Sequence, residues 1–325
     1  MKAIRFHQYG KSDVLTLEDI DKPVPRANEV LIEVKACGIN YADIARRYGR
    51  YVVPTPLPFV PGVEIAGIVR EVGEGVDEKW VGQPVITLLH KGGGYAEYAV
   101  AHTNGLIPIP SGLDYTQAVA IPLQGLTAYH VLKTSGQLQP GESVLVHAAA
   151  GGVGLLSVQL AKKFGAGLVI GTASTAEKRD LAKQAGADIT IDYTLPDWPQ
   201  EVLEATGGKG ADVILEIAGG DMIQQNLKCL ADYGRMVVFG AASGERGTLV
   251  PVQLMGKNQT VTGFFLGKLM EQPDRFLQSL KELLTWAATG QVKFLIGGVY
   301  PLAEAGLVQD LMEGRQTIGK LVLVP

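Results

Sequence analysis

Residues 144–166 read VLVHAAAGGVGLLSVQLAKKFGA. A short apolar run from Val144 to His147 ends in Ala149-x-Gly151-x-x-Gly154. Leu156, Leu160 and Phe164 then fall on one face at helical spacing. A brief apolar segment followed by that period predicts strand, tight turn and helix. Glycine at such a turn lets the backbone come close to a ligand, and the first turn of a helix stabilises a negative charge there. The spacing is the dinucleotide-binding pattern with Ala149 in place of the first glycine. A glycine-rich turn without a ligand is the bland alternative, and the strand–helix context argues against it. Ala150, Gly151, Gly152, Val153 and Gly154 are therefore the expected cofactor cradle.

Downstream, the same alternation continues. LVIGTAS is followed by a helix to Ala185, and DITIDY by another helical run. ADVILEIAG leads to a helix and then RMVVFG. Near-continuous apolar strands between helices signal a parallel sheet covered on both faces. Upstream, the first 120 residues read mainly as strands: MKAIRF, VLTLEDI, EVLIEVKACGI, GVEIAGIVREVG, QPVITLL and YAEYAVAH, with Gly and Pro punctuation. Pro54, Pro56, Pro58 and Pro61 mark a non-helical link. Beyond Asn258 come a long helical run (273–289), a strand near VYPL, a helix at AEAGLVQDLME and a last strand, KLVLV. The expected α/β architecture is a Rossmann-type doubly wound parallel sheet, residues 124–257, inserted in a mainly β domain formed by 1–123 and 258–325.

The second strand of the α/β part discriminates between cofactors. NAD sites place Asp or Glu at its end to bond the ribose 2′-hydroxyl. Here the strand ends Thr172-Ala173-Ser174, with Lys178 and Arg179 soon after. Without the acid a 2′-phosphate is not repelled, Ser174 offers a hydrogen bond and Lys178 a positive charge. The alternative for the two cations is a solvated helix face. NADPH is the expected cofactor, and Tyr193, closing the third strand, is a further candidate contact to the adenosine phosphate.

The totals exclude other classes. In 325 residues, 46% are hydrophobic and 19% charged, and the net charge is −4. These values fit a globular protein of two domains and carry no footprint for nucleic acid. No apolar stretch approaches a membrane span, and the first residues lack a secretory h-region. Two cysteines, Cys37 and Cys229, build no disulfide framework, so a reducing, cytoplasmic setting is expected. The five histidines, His7, His90, His102, His130 and His147, are scattered. His147 alone adjoins the glycine motif, where a satisfied strand histidine is expected; none is assigned to catalysis.

Several segments together carry a family likeness: ACGINYADIARRYGRY, PFVPGVEIAGIVREVGEGV, GGYAEYAV, QGLTAYHVL, HAAAGGVGLLSVQLAK, GRMVVFGAASG and EGRQTIGKLVLVP. In this order and over nearly the whole chain they resemble the medium-chain dehydrogenase/reductase superfamily, and within it the zinc-independent, zeta-crystallin-like quinone oxidoreductases. The resemblance implies that the mainly β part is a GroES-like catalytic domain. Zinc-dependent relatives carry Cys and His where this chain has Asn40 and Val63, and their four-cysteine structural loop is absent from 88–100. A catalytic Zn²⁺ needs three protein ligands, so no metal is expected. Cys37, three residues before Asn40, reads as a small buried strand residue. The likeness further places Asn40 beside nicotinamide and substrate and Thr127 near nicotinamide or its phosphates. Phe239, Gly240, Phe264, the adjoining Phe265, and Arg315 fall at positions lining the rest of the cofactor. Tyr41, Tyr48 and Tyr51 cluster after Asn40; Asn40 and Tyr48 are the candidate catalytic residues, Tyr48 for stacking or proton donation, with packing as the alternative. Ala45 stands where some members have Tyr, which weakens any transfer of substrate contacts.

The implied activity is metal-free hydride transfer from NADPH to a quinone-type acceptor. Reduction of enone or enoyl double bonds is the alternative. A reading of another class is a non-catalytic NADPH-binding structural or regulatory protein. A homodimer is expected, with the TVTGFF strand able to pair across a two-fold axis.

Overall fold

The computed structural model describes every residue except His90, and the chain divides into two units. One comprises 1–123, 284–289 and 294–325; the other comprises 124–283 and 290–293.

In the first unit the strand Glu29–Gly38 is the organiser. It pairs antiparallel with Glu64–Val72, Tyr98–His102 and Lys320–Val324. The sheet runs Ile296–Pro301, Lys320–Val324, Glu29–Gly38, Glu64–Val72, Pro84–Leu88, Ile107–Pro108. Alternation along Glu29–Gly38 sends Val30, Ile32 and Val34 into a core with Ile65, Val69 and Val85. Ala36 joins Ala66, Ile86, Val119 and Val322 in a second cluster. Each fully buried Val or Ile contributes about 1.5–3 kcal/mol. Lys2–Arg5 and Thr16–Asp19 form a separate antiparallel pair.

The second unit holds a six-stranded sheet, every pairing parallel. Its order is Ile189–Ile191, Leu168–Thr172, Ser143–Val146, Ala211–Glu216, Leu230–Val238, Thr260–Gly263. Ser143–Val146 is buried throughout, as an inner strand covered on both faces must be. The helix Gly152–Lys163 follows it and buries Leu155, Leu156, Val158 and Leu160. The fold expected from sequence, a Rossmann-type parallel sheet together with a mainly β domain, is the one observed.

One element departs from the sequence reading. The strand anticipated from Arg235 begins at Leu230, directly after the helix Met222–Cys229. Tyr233 lies in the left-handed region at φ 58°, and pairing with Ala211–Glu216 slips between Ala211 and Val213. This bulge bends the strand at Asp232-Tyr233-Gly234, three residues that read locally as a turn.

Candidate functional site

Within the second unit, the residues singled out from sequence gather at one edge of the parallel sheet. Gly151 is the N-cap of Gly152–Lys163, and Ser174 follows Leu168–Thr172. Tyr193 follows Ile189–Ile191, Phe239 follows Leu230–Val238, and Phe264 follows Thr260–Gly263. All are at carboxyl ends, where open parallel sheets bind their ligands. The turn is held by the Gly151 N–H donating to the Ala148 carbonyl (2.9 Å) and the Ala149 N–H donating to that of Thr172 (3.0 Å). A Cβ on Gly154 would lie 2.2 Å from the Ala148 carbonyl oxygen and 2.8 Å from Ala149 Cα. Both are backbone atoms, so only glycine allows helix and turn this close. On Gly151 such a Cβ would lie 3.3 Å from the Ala148 carbonyl oxygen, and on Gly152 it would lie 1.9 Å from Gln124 Oε1, so both positions of the cradle are tight. Ala150 is buried beneath it, and Val153 lies in the helix's first turn.

Selectivity would reside at the end of Leu168–Thr172. Thr175 caps the helix Ala176–Gln184 by accepting from the Lys178 N–H (3.3 Å). Ser174 and Lys178 are half-buried on this rim. Asp192, just after the neighbouring strand Ile189–Ile191, is paired with Arg179 at 2.7 Å. Arg179 also donates to the Ala173 carbonyl (3.3 Å). Its cation is thus engaged within the unit.

Behind this edge the unit is braced by buried polar groups. His147 pairs through Nδ1 with Thr172 Oγ1 (2.9 Å) and through Nε2 with Asn226 Oδ1 (2.7 Å). Asn226 Nδ2 donates to Glu216, which also accepts from the Gly219 N–H (2.7 Å). Burial pulls the His147 pKa down, so the ring acts as a neutral link in this chain. His130 stacks on Phe264 with centroids 6.3 Å apart, and its nitrogens bond Thr134 and Ser279. Burial, with Arg275 adding to it, pushes its pKa down to about 4. Thr127 is buried on the same helical segment, Leu126–His130, which lies between two wide π-type turns, Ile121–Gly125 and Val131–Ser135. Such turns recur at functional sites.

The first unit carries its own polar centre around Asn40, the N-cap of the helix Tyr41–Arg47. Asn40 Nδ2 donates to Glu64 Oε1 (2.7 Å) and to the Gly38 carbonyl (3.4 Å), while Oδ1 accepts from Lys320 Nζ (2.9 Å). Lys320 also donates to the Ile39 carbonyl (3.1 Å) and to Glu64. The second Glu64 oxygen accepts from the Leu123 N–H (3.1 Å). Lys320 is 1% exposed and Glu64 0%. Every ammonium proton is used, and one lone pair on Asn40 Oδ1 remains.

Beside it, Asp43 is fully buried and accepts from the N–H groups of Asn40 (3.0 Å) and Gly62 (3.1 Å) and from the Tyr95 hydroxyl (3.2 Å). Burial raises its pKa from 3.8 to about 6, against the pull of those donors. Burial also drives the Cys37 thiol well above its ordinary range, keeping it an inert core residue. Because the folded state holds the Asp43 proton more tightly than the unfolded chain, its contribution to stability is present below pH 3.8 and lost as pH rises through about 6. Urea titrations of the wild type and Asp43→Asn should therefore diverge with pH. The wild type loses up to about 1.4 kcal/mol per pH unit relative to the variant across that window. A difference independent of pH between 3.8 and 6 would contradict the assignment.

Two further candidate residues belong to this unit. Tyr48, the C-cap of Tyr41–Arg47, has its ring beneath the guanidinium groups of Arg47 (4.7 Å) and Arg50 (5.2 Å) and packs on the core. Arg315 is exposed at φ 55°, just after the helix Ala305–Glu313.

Comparison with known proteins gives these geometries a context. Residues 26–111 match the alcohol dehydrogenase GroES-like domain and 152–285 match the zinc-binding dehydrogenase family. The rat quinone oxidoreductase is 35% identical over 328 residues, covering 100% of this chain and 98% of the relative. The Escherichia coli quinone oxidoreductase, solved in complex with NADPH, superposes with a TM-score of 0.95 at 35% identity, each chain covered completely. This chain belongs to the quinone oxidoreductase family. A 2-haloacrylate reductase from Burkholderia sp. is 35% identical over 332 residues, 99% of this chain and 98% of the relative.

Membership in this zinc-independent branch of the medium-chain dehydrogenase/reductase superfamily accounts for the donor set. The side chains at the two lost ligand positions are an amide engaged with Glu64 and Lys320, and the apolar Val63. Among the described residues no cluster of three or more His, Cys, Asp or Glu could hold a metal. His90 lies outside the described residues. Sequence reasoning missed the Glu64–Lys320 pair of this quinone oxidoreductase relative, although each residue left a trace. Glu64 opens the apolar strand EIAGIV, and Lys320 opens KLVLV with no solvent-facing partner in either run.

Proposed function

We propose that the protein is an NADPH-dependent quinone oxidoreductase that reduces an electron-poor, conjugated acceptor without a metal ion. The observation that carries this reading is an intact dinucleotide cradle in a chain whose zinc-ligand positions hold Asn40 and Val63. The cradle suits NADPH: Ala150 to Gly154 bring backbone N–H groups to a helix N-terminus, Ser174 and Lys178 accept a 2′-phosphate, and the strand end carries no acid to repel it. Thr127, Tyr193, Phe239, Gly240 and Phe264 are proposed as further cofactor contacts of the second unit, and Asn40, Tyr48 and Arg315 as residues of the first serving cofactor and acceptor. When bound, NADPH supplies a hydride. A quinone or enone is already activated by conjugation, so positioned donors suffice and no Lewis acid is required. The remaining lone pair of Asn40 and the rigid seat provided by Glu64 and Lys320 orient groups rather than transfer protons.

Reduction of a conjugated double bond is the second reading, favoured by the likeness to the Burkholderia 2-haloacrylate reductase. A non-catalytic NADPH-binding role is the third. The deciding experiment follows fluorescence on titration with NADPH and NADH, then nicotinamide absorbance with 1,4-benzoquinone, 9,10-phenanthrenequinone and a simple enone. NADPH-selective binding with quinone-dependent oxidation is the expected result. Turnover of the enone alone would transfer the assignment to double-bond reduction, and tight binding without turnover would leave the non-catalytic role.

We also propose a cytoplasmic homodimer. The strand Thr260–Gly263 is the outer strand of its sheet, paired only with Leu230–Val238 among the described residues, and such an edge can extend across a two-fold axis. Functionally, the mainly β unit forms the catalytic part and the parallel-sheet unit, which takes in 258–283 beyond the 124–257 expected from sequence, the dinucleotide-binding part. No helix among the described residues is long and apolar enough to cross a membrane.

A further inference from the structure

Arg46 and Arg47 are neighbours on the helix Tyr41–Arg47, and both are buried, 4% and 0% exposed. Their surroundings differ. Arg47 is paired with Glu313 and donates to Gln309 Oε1 (2.8 Å) and the Gly10 carbonyl (3.2 Å). Arg46 has no such partner. Its NH1 donates to Thr55 Oγ1 (3.2 Å), and its guanidinium lies over the rings of Tyr51 (4.3 Å) and Phe59 (5.4 Å). Its Nε is buried with no hydrogen-bond acceptor, and among the described residues no carboxylate lies within 4.0 Å of it. Asp43, one turn earlier, is consumed by its own three donors. A guanidinium stays charged at any physiological pH, and a charge removed from water without a counter-ion is costly. Aromatic faces offset part of that cost, but they do not accept from Nε.

We propose that Arg46, with Thr55 and Tyr51, forms an anion seat that selects conjugated acceptors bearing a fixed negative group, a carboxylate or a sulfonate. This deepens, and rests on, the proposed reduction of conjugated acceptors. The planar guanidinium supplies a charge-assisted donor at Nε, the Thr55 hydroxyl lies beside the head group, and Tyr51 and Phe59 present flat apolar faces. An acceptor combining a planar ring with one anionic substituent matches that set, and a neutral ring leaves Nε unpaired.

The test compares NADPH-dependent kcat/KM for 1,2-naphthoquinone-4-sulfonate and 1,2-naphthoquinone in the wild type, Arg46→Gln and Arg46→Lys. The ratio of sulfonate to neutral quinone should fall at least about tenfold in Arg46→Gln, as for loss of one charge-assisted contact, with partial recovery in Arg46→Lys. An unchanged ratio in Arg46→Gln overturns the proposal, since a purely structural role would lower both acceptors together. Should Arg46→Gln not fold, the wild type decides: unreactive naphthalene-2-sulfonate must bind more tightly than neutral 2-naphthalenemethanol in equilibrium titrations, and equal affinity overturns the seat. Those titrations need no turnover. A protein that binds the sulfonate but reduces neither quinone would therefore refute the quinone reading and leave the anion seat standing.

Discussion

Replacing Lys320 with methionine should destabilise the first unit by about 3–5 kcal/mol, because it strands the buried Glu64 carboxylate without its cation. Glu64 is fully buried, and apart from Lys320 its partners are the Asn40 amide and the Leu123 N–H. Solvent cannot reach it to compensate. A Cβ on Gly38 would already lie 2.4 Å from Glu64 Oε1 and 2.6 Å from Lys320 Cε, so the site has no room to relax around the loss. Urea unfolding reads the effect directly. The paired change Lys320→Met with Glu64→Leu should recover most of the stability, since buried ion pairs are often neutral or worse against packed apolar residues. Turnover should not recover, because Asn40 then loses two of its side-chain partners together. A double-mutant cycle with no coupling between Lys320 and Glu64 would show that the pair does not act as a unit.

The second large effect concerns the cofactor. Ser174→Asp restores an acid to the end of Leu168–Thr172, where the resident Asp192 is already neutralised by Arg179. An aspartate there would face the 2′-phosphate of NADPH and accept from the 2′-hydroxyl of NADH. At an effective dielectric near 20, two unit charges about 4 Å apart interact by about 4 kcal/mol, and solvent screening at this half-exposed rim leaves less. The ratio of kcat/KM for NADPH over NADH should fall roughly 10²–10³-fold, the NADPH arm falling and the NADH arm rising. Lys178→Ala should lower the NADPH arm alone, by about tenfold. An unaltered preference in Ser174→Asp would place the adenosine phosphate elsewhere on the sheet edge.

The cradle was legible because its information is local. A buried strand, a glycine turn and a helical period occupy 144–166, and the structure closes them with bonds between neighbours such as Gly151 and Ala148. The acid-free end of the second strand was legible for the same reason. The polar centre of the first unit was not. Glu64 and Lys320 are separated by 256 positions, and Lys320 and Asn40 by 280. No periodicity marks such a pair, and a lone lysine reads as a surface residue by default. Arg46 was equally hidden: two adjacent arginines in a polar helix look alike in sequence, and only burial separates the paired one from the unpaired one. Tyr48 has guanidinium groups of Arg47 and Arg50 over its ring, contacts that sequence position alone did not reveal.

The chain's last strand has a consequence for how the protein is made. Lys320–Val324 lies between Ile296–Pro301 and Glu29–Gly38, and it carries the cation that Glu64 requires. On the ribosome, residues 1–123 emerge before Lys320–Val324, and until that strand follows, their sheet lacks an inner strand and their buried carboxylate lacks its counter-charge. The parallel sheet of 124–283 has all its strands much earlier. The parallel-sheet part is thus able to fold co-translationally, while the part that precedes it in the chain waits for Lys320–Val324. For that interval its unpaired strand edges are the segments most in need of chaperone cover.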